Sequence, residues 1–492
     1  MPLFHRVGED YLTLGLCATL WLVESVALAR QLVKKRGASH ITKSDLLLSL
    51  FGLYVLLNAW LRQSFTTPIT YWKWCAAAAV LLLGRQLFQN KTSLFPILVM
   101  PGFVQAFVVI LQVLGWMPTR SFYFPVSGTF GNPSFPATLI AVGLVTLMET
   151  IFYRFKDSGI WEKGVMMAGT LLLTLGLLLC NSRTAILAVM VCMAILAFRR
   201  HPKKTTFLIA VVVLSAVVAG LYLLRPGSAD VRLLIWRASC GLFAGHPLFG
   251  SGAGSFASHY MYAQANYFTA HPDSPFVLLA GNHYQPYNEL IRLLCEQGIA
   301  GTAIFLAGTV PLLIRRSAAQ IPLLAVAVIS LTFNVSDLFV LYLMFWMLAG
   351  YGSASSTDVW TVPSRWMMVI PSAIALTVLF LSAFRTADSE YMNDPSHQQA
   401  IPTYEAICEE GQRYQSEGKI VDAERCYELA WRMIPSRITA TYLLFMLYAE
   451  TDIEKAQAMG DFILNRQQLR SVNGNTLKMK KDIRIFMDAN NH

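Results

Sequence analysis

The sequence predicts an all-α, polytopic membrane protein: a bundle of eleven or twelve transmembrane helices, a long extracytoplasmic loop and a small helical-repeat domain at the C-terminus. The 492 residues are 55% hydrophobic, with a mean hydropathy of +0.48, and only 14% are charged. Apolar stretches of about 20 residues recur, the length needed to cross about 30 Å of hydrocarbon. Backbone groups in lipid must be satisfied internally, and the stretches lack the alternation of a barrel, so helices are expected.

Ten apolar stretches are each predicted to span the membrane once. They are 10–29, 45–61, 70–88, 95–115, 136–153, 163–180, 184–200, 206–224, 298–314 and 366–384. The run 321–350 is either one long span or two short spans broken around the polar residues Asn334, Ser336 and Asp337. The polar cluster in its middle favours two.

The net charge of +10 is distributed in a way that predicts topology. Basic residues lie in alternate loops, near 30–43, 85–91, 154–163, 199–204 and 315–316. The positive-inside rule makes these loops cytoplasmic, so the loops at 116–135, 181–183 and 225–297 are expected on the opposite face. The basic charge therefore predicts contact with membrane lipids and no nucleic-acid partner.

The chain is expected to divide into a transmembrane domain, 1–384, which carries the active loop 225–297, and a soluble tail, 385–492. The tail has 13 Lys/Arg and 16 Asp/Glu. Its segment around Ala423 resembles the second helix of a tetratricopeptide hairpin, and Ala456 follows 33 residues later, close to the 34-residue period of that repeat. Such a tail either binds a protein partner or forms a helical cap docked on the membrane domain.

Metal and cofactor sites are not expected. The eight cysteines are scattered without a CxxC pair, and no phosphate loop, HExxH or dinucleotide motif occurs. The glycine-rich segment GSGAGSF at 250–256 neither follows a strand nor opens a helix with GK[ST]. It is interpreted as a mobile turn and not as a nucleotide cradle.

The candidate site residues come from three pieces of the predicted outer face. Asn132 lies in GTFGNP, Arg183 lies in the short turn NSRTA, and the long loop supplies the rest, namely Arg232, Trp236, Arg237, His283, Tyr287 and Asn288. An arginine in a turn between spans is often an interfacial anchor, but an outward-facing arginine opposes the positive-inside bias. Asn132 and Asn288 have simple structural alternatives, a turn residue and a helix N-cap.

The order of these motifs resembles the O-antigen ligase and polymerase superfamily over roughly 125–350. The motifs are the Ser182-Arg183 turn, Arg232 followed four residues later by Trp236, HPLFGSGAGSF at 246–256, and Asn288-Glu289-Leu290 followed by Gly298 and Gly301. Members of this family are multispan enzymes of the bacterial inner membrane. They take a glycan from a polyprenyl diphosphate carrier on the periplasmic side.

The resemblance implies roles for the matched residues. Arg183 and Arg232 correspond to the family's phosphate-binding arginines, which hold the charge of the diphosphate without a metal. The family pattern has a histidine directly before the asparagine, where this chain has Tyr287, whose pKa of about 10 makes it a poor base. His283 is the favoured replacement as general base, with Tyr287 and Glu289 as alternatives.

The acceptor stays open at this point. Ligation to a lipid A-core, polymerisation of glycan repeat units and transfer to protein side chains all fit the resemblance, and ligation is favoured because the family carries that label. A lipid-linked glycan transporter is a further alternative. Transporters usually carry ionisable residues inside their spans, whereas Glu24 and Glu149 are the main charged residues within the spans of this chain.

Overall fold

The computed structural model describes residues 38–62, 68–224, 226–356, 359–363 and 402–490 of the protein. The predicted spans 10–29 and 366–384 lie outside the described residues. The chain divides into two compact units. The membrane unit comprises Met1–Leu224, Tyr287–Leu293 and Ile299–Asn393, and the loop–tail unit comprises Arg225–Pro286, Leu294–Gly298 and Asp394–His492.

The described residues are mostly helical, which confirms the all-α class. In chain order the main elements are β1 (Ala38–Thr42), α1 (Lys43–Leu61), α2 (Pro68–Gln89), α3 (Phe95–Val113), α4 (Ser134–Arg154), α5 (Ile160–Cys180), α6 (Arg183–Arg200), α7 (Lys204–Leu224), α8 (Pro226–Gly245), α9 (Ser255–Ala270), α10 (Glu289–Ile314), α11 (Gln320–Ser330), α12 (Phe339–Ala354), β2 (Val359–Pro363), α13 (Tyr404–Ser416), α14 (Ile420–Met433), α15 (Ile438–Thr451), α16 (Ile453–Asp461) and α17 (Gly474–Asn490).

Four helices of the described chain, α3, α4, α5 and α10, are long and apolar enough to cross a membrane by length and composition. Shorter apolar helical stretches lie in α2, α7, α11 and α12. The predicted spans between 45 and 224 match helices whose ends differ from the prediction by only a few residues.

Helix α4 is the centre of the membrane unit, where it packs against α3, α5, α6 and α11. Its residues from Pro136 to Leu147 are all buried. Helices in lipid associate closely through small residues, and Gly176 of α5 follows this rule. A Cβ at Gly176 would lie 2.7 Å from the Cβ of Ala106 in α3, so glycine is required at this crossing.

The run 321–350 forms two helices, α11 and α12, in agreement with the favoured alternative. At the start of α11, Arg199 Nη2 donates to Gln320 Oε1 at 2.6 Å, beside the C-terminal end of α6. After α11, Thr332 Oγ1 lies 2.9 Å from Thr184 Oγ1, at the N-terminal end of α6. Helix α11 therefore runs along the length of α6, and α12 returns from the Arg183 end of the unit.

A two-stranded antiparallel sheet closes the other end of the membrane unit, and the sequence did not predict it. Ala38 pairs with Pro363 and Thr42 with Val359. Next to the sheet, Thr42 and Ser353 share a hydrogen bond, and Asp45 and Arg85 form a buried ion pair. Residues 359–363 after α12 thus lie beside residues 38–42 before α1.

Helix α9 of the loop packs against α14 of the tail within the loop–tail unit. The fully buried Gln264 links them, because its Nε2 donates to the carbonyl oxygens of Gly281 at 3.1 Å and of Met433 at 2.7 Å. Tyr260 donates its hydroxyl to Gln264 Oε1 at 2.9 Å. The side chain is therefore fully bonded and joins two segments that are far apart in sequence.

Further polar contacts join the end of the loop to the tail. Asn282 donates to Glu405 at 2.5 Å and accepts from the backbone amide of Tyr404 at 3.0 Å. Arg470 donates to the Ala280 carbonyl at 3.4 Å. Soluble segments that fold together must occupy the same compartment, so the tail lies on the same side of the membrane as residues 226–286.

The tail itself consists of two helical hairpins, α13–α14 and α15–α16, followed by α17. Ala423 and Ala456, the two alanines that suggested a repeat, are both fully buried in its core. The hairpins agree with the predicted helical tail, and the assignment to the tetratricopeptide family stays a prediction.

Helix α10 is interrupted at Gly298, whose backbone is not helical (φ 65°, ψ −170°). The interruption exposes carbonyl oxygens of the preceding turn, and the glycine-rich segment satisfies them. Ser251 N donates to Cys295 O at 3.0 Å and Gly252 N donates to Glu296 O at 2.9 Å. Buried carbonyls must be paired, and this turn pairs them, so its place in the fold is that of a backbone partner of α10.

We expect Gly298→Ala to destabilise the protein by at least about 2 kcal/mol, because an L-residue is strained at positive φ and its Cβ would collide with the backbone of Leu248 and Gly250. Gly241→Ala in α8 is the matched control, since no described residue lies within 4 Å of its added Cβ and alanine favours helix. Thermal unfolding in detergent measures both. Equal midpoints for the two variants would contradict the proposed role of the interruption.

We expect single cysteines at Asp273 in the loop and at Lys478 in the tail to react together with a membrane-impermeant maleimide. A cysteine at Lys203, between α6 and α7, should be protected until the membrane is opened. All three positions are exposed, and the exposed Cys240 must first be replaced by serine. Labelling of positions 273 and 478 from opposite sides would show that the loop and tail do not share a compartment.

Candidate active site

Arg183 is the first residue of α6, at the end of the membrane unit opposite Arg199 and Arg200. The chain reverses between α5 and α6 in two residues, because Asn181 adopts a left-handed conformation (φ 49°, ψ 41°) and Ser182 is extended (φ −95°, ψ 106°). Asparagine tolerates the left-handed C-terminal position of a helix. Arg183 was expected within the turn, and the structure places it one residue further, at the start of the helix.

Two sources of positive charge lie together at the N-terminal end of α6. The side chain of Ser182 makes no capping hydrogen bond to the first turn of α6, and the first amides of a helix carry a partial positive charge. The half-buried guanidinium of Arg183 lies at the same helix end. This arrangement suits an anion such as a phosphate group.

The segment 331–338, which we call the outer connection, links α11 to α12 and joins this helix end to the start of α10. Thr332 bonds to Thr184, as described above. Further along, Ser336 donates to Glu289 at 2.9 and 3.1 Å, and Arg292 contacts Ser336 and, at 3.4 Å, Asp337. The N-terminal ends of α6 and α10 are therefore held to one short segment. From the sequence, the outer connection was predicted only as a polar break between two spans.

Asn288 and Asn132, both predicted to bind substrate, have local structural roles. Asn288 Oδ1 caps α10 by accepting from the amides of Leu290 at 3.0 Å and Ile291 at 3.2 Å. Asn132 Oδ1 accepts from the amide of Ser134 at 2.9 Å and forms a turn before α4. Both contacts match the structural alternatives stated for these residues.

Tyr287 has a left-handed backbone (φ 51°), which is strained for a bulky residue. A helix cannot continue through this conformation, so α10 begins at Glu289. Strained residues persist where the surrounding structure fixes them, and they are frequent at functional sites.

Helix α8 of the loop–tail unit carries three predicted residues, Arg232, Trp236 and Arg237. Trp236 donates its indole N–H to the Pro286 carbonyl at 2.9 Å, which ties the start of the loop to its end. The guanidinium of Arg237 lies 4.9 Å from the centre of the Phe276 ring, in cation–π geometry. Arg232 is half-buried one turn before Trp236, as the helical spacing predicted.

His283 lies inside the loop–tail unit. Its ring is 6.3 Å from that of Tyr260 in an edge-on arrangement, and its buried Nε2 has no hydrogen-bond partner among the described residues. Burial, and secondarily the positive charge of Arg470, lowers the pKa of His283 from 6.5 to about 4, although a hydrogen bond with the Leu279 backbone opposes the shift. The imidazole is therefore neutral at physiological pH.

The predicted site residues fall in two compact units. Asn132, Arg183, Tyr287 and Asn288 belong to the membrane unit, whereas Arg232, Trp236, Arg237 and His283 belong to the loop–tail unit. The pairing of Arg183 with Arg232 around one diphosphate stays a prediction. Within the membrane unit, the structure links the start of α6, which Arg183 opens, to the start of α10 through the outer connection.

Residues 168–306 match the family model described as O-antigen ligase. No curated protein matches the chain. The matched segment begins in α5 and ends in α10, so it contains Arg183, Arg232 and the anchored glycine-rich turn. The match supports a ligase-like role in glycan transfer for a multi-pass membrane protein. Over residues 168–306 the chain is therefore similar to the O-antigen ligase family, in agreement with the resemblance indicated by its motifs.

Proposed function

We propose that the protein transfers a glycan from a polyprenyl diphosphate carrier, undecaprenyl diphosphate in bacteria, to an acceptor hydroxyl at the outer face of the inner membrane. The observation that carries this proposal is Arg183 at the uncapped N-terminus of α6, inside the segment that matches the O-antigen ligase family. The loop 225–297 is then periplasmic, and the tail shares that compartment.

The reaction breaks the bond between the anomeric carbon and the diphosphate oxygen. The bonding electrons pass to that oxygen, and the acceptor oxygen forms the new bond from the opposite face of the sugar, which inverts the anomeric configuration. Negative charge therefore grows on the leaving diphosphate. A guanidinium holds such charge through paired hydrogen bonds without a metal. A preorganised donor of this kind contributes about 3–4 kcal/mol in comparable oxyanion sites.

We assign the diphosphate to Arg183 and Arg232. Trp236, Arg237, Asn132, Tyr287 and Asn288 were predicted to bind substrate, and the structural contacts of Trp236, Arg237, Asn132 and Asn288 make them supports for the site. Each fixes a turn, a helix start or a loop end, so loss of one should act through misplacement of its neighbours. Tyr287, held in a strained conformation directly before Asn288, keeps its assignment as a substrate contact.

The general base must accept the proton of the acceptor hydroxyl. We assign this role to His283, because its depressed pKa keeps the imidazole unprotonated and its Nε2 has no partner among the described residues. A pKa near 4 also makes it a weak base, since base strength falls with pKa. Glu289 is the alternative, because its carboxylate already accepts a hydrogen bond from the hydroxyl of Ser336, as it would from an acceptor hydroxyl.

Three acceptors fit this chemistry: a lipid A-core, the end of a growing O-antigen or capsule polymer, and a protein side chain. We favour the lipid A-core because of the family described as O-antigen ligase. Polymerase and protein O-oligosaccharyltransferase activity are alternatives with the same donor. The tail, on the loop's side of the membrane, suits contact with a protein partner or with the acceptor. A transporter of lipid-linked glycans is the remaining alternative.

We expect deletion of the gene to remove one class of surface glycan and to accumulate the carrier-linked glycan. Comparison of lipopolysaccharide, capsule and glycoprotein profiles identifies the acceptor. Complementation with Arg183→Ala or Arg232→Ala should restore less than about 1% of product, as expected when an oxyanion donor is lost. Arg200→Ala, at the other end of α6, is the matched control and should restore full activity. Wild-type activity in Arg183→Ala would remove this residue from the mechanism.

We expect the stability of the wild-type protein to fall as the pH drops from about 6.5 towards 4, more steeply than that of His283→Phe. The pKa of His283 is about 4 in the folded protein and near 6.5 in an unfolded chain, so only the unfolded state takes up a proton in this window. Thermal unfolding between pH 4 and pH 8 measures how the midpoint of each protein changes with pH. Above pH 7 the two midpoints should change with pH in the same way.

The same variant tests the base. If His283 accepts the proton, His283→Phe loses activity while Glu289→Gln keeps a substantial part of it. Full turnover by His283→Phe, combined with inactivity of Glu289→Gln, would transfer the role to Glu289.

A further inference from the structure

The outer connection contains a buried polar side chain that the fold leaves unsatisfied. Asn334 is only 2% exposed, and neither its Oδ1 nor its Nδ2 has a hydrogen-bond partner among the described residues. A buried amide without partners is unfavourable, because it loses its bonds to water and gains none in return.

The neighbours of Asn334 in sequence place it in the candidate active site. Two residues earlier, Thr332 bonds to Thr184, beside Arg183. Two residues later, Ser336 bonds to Glu289. The Phe333 ring packs edge-on against Phe135 at 5.4 Å. Asn334 therefore lies at the middle of a segment that is fixed on one side to the anion-binding end of α6 and on the other to the start of α10.

The chemistry of a carboxamide indicates what would satisfy it. Its Nδ2 donates two hydrogen bonds and its Oδ1 accepts. A phosphate oxygen can only accept, so it would leave Oδ1 unpaired. A pair of neighbouring sugar hydroxyls can accept from Nδ2 and donate to Oδ1 at the same time. The unpaired groups of Asn334 thus match the sugar beside a diphosphate better than the diphosphate itself.

We propose that Asn334 is a substrate-binding residue that bonds, through both ends of its carboxamide, to hydroxyls of the sugar attached to the diphosphate. The proposal rests on the proposed transfer from a diphosphate carrier. It assigns the diphosphate to the Arg183 end of α6 and the first sugar to the outer connection. Because the amide is closed to solvent, the outer connection must shift when substrate enters. It consists of turns and bends with one short 3₁₀ turn (Val335–Asp337), so no α-helix is broken.

The test compares Asn334→Leu with Thr302→Val in the deletion strain, whose accumulated carrier-linked glycan serves as donor. Leucine has nearly the shape of asparagine and needs no hydrogen bonds, so Asn334→Leu should unfold at the wild-type temperature or higher. Its ratio of transferred to carrier-linked glycan should nevertheless fall about tenfold or more, the loss expected for one or two substrate hydrogen bonds. Thr302 in α10 is also buried without a partner for its Oγ1 among the described residues, and Thr302→Val should change neither quantity.

Full transfer activity in a stable Asn334→Leu would overturn the proposal, because Asn334 would then be a buried side chain that does not bind substrate. A second variant, Asn334→Ala, removes any clash of the larger side chain. Failure of both variants to accumulate in the membrane would show a purely structural role and would also overturn it. A different outcome tests the proposed function itself. If the wild-type gene does not change the glycan profile of the deletion strain, the proposed function fails, whatever the role of Asn334.

Discussion

Backbone amides and carbonyls inside hydrocarbon must bond to one another, and this constraint determines where the chemistry of the chain lies. Helices satisfy their own backbones along the span and leave unpaired groups only at their ends. Polar side chains therefore concentrate at the two ends of the membrane unit. One end holds the buried pair of Asp45 and Arg85 and the two-stranded sheet. The other holds Arg183, Glu289 and the outer connection.

The same constraint explains the interruption in α10. At Gly298 the helix stops bonding to itself, and the carbonyls of Cys295 and Glu296 are paired with backbone amides of the glycine-rich turn. Glycine is needed on both sides of this contact, because a Cβ at Gly250 would meet the backbone of Glu296 and one at Gly298 would meet Leu248. Two of the motifs that indicated the family are thus the two halves of one packing contact, and their role is to shape the loop.

The features that the sequence predicted depend on local composition. Hydropathy predicted the helices because the length of a span is fixed by the bilayer. Arg183 lies at the opposite end of α6 from Arg199 and Arg200, as the spacing of the basic loops indicated, and the side of the membrane stays a prediction. Features that depend on distant contacts were missed. The pairing of 38–42 with 359–363 carries no local signal, and Gln264 gives no indication that it bonds to Met433. In the sequence, Asn334 only interrupts an apolar run. That its side-chain amide is buried without a partner among the described residues is visible only in the structure.

The joint folding of the loop with the tail has a consequence for biosynthesis. Residues 226–286 leave the ribosome well before 404–490, and at ordinary rates of synthesis the interval is on the order of ten seconds. During this time the contacts of α9 with α14, among them the hydrogen bond from Gln264 to the Met433 carbonyl, are not yet formed. The fold of the loop is therefore complete only after the last segment of the polypeptide has been synthesised. A nascent chain that stops early would leave exposed the face of α9 that α14 normally covers, where proteases and chaperones can recognise it.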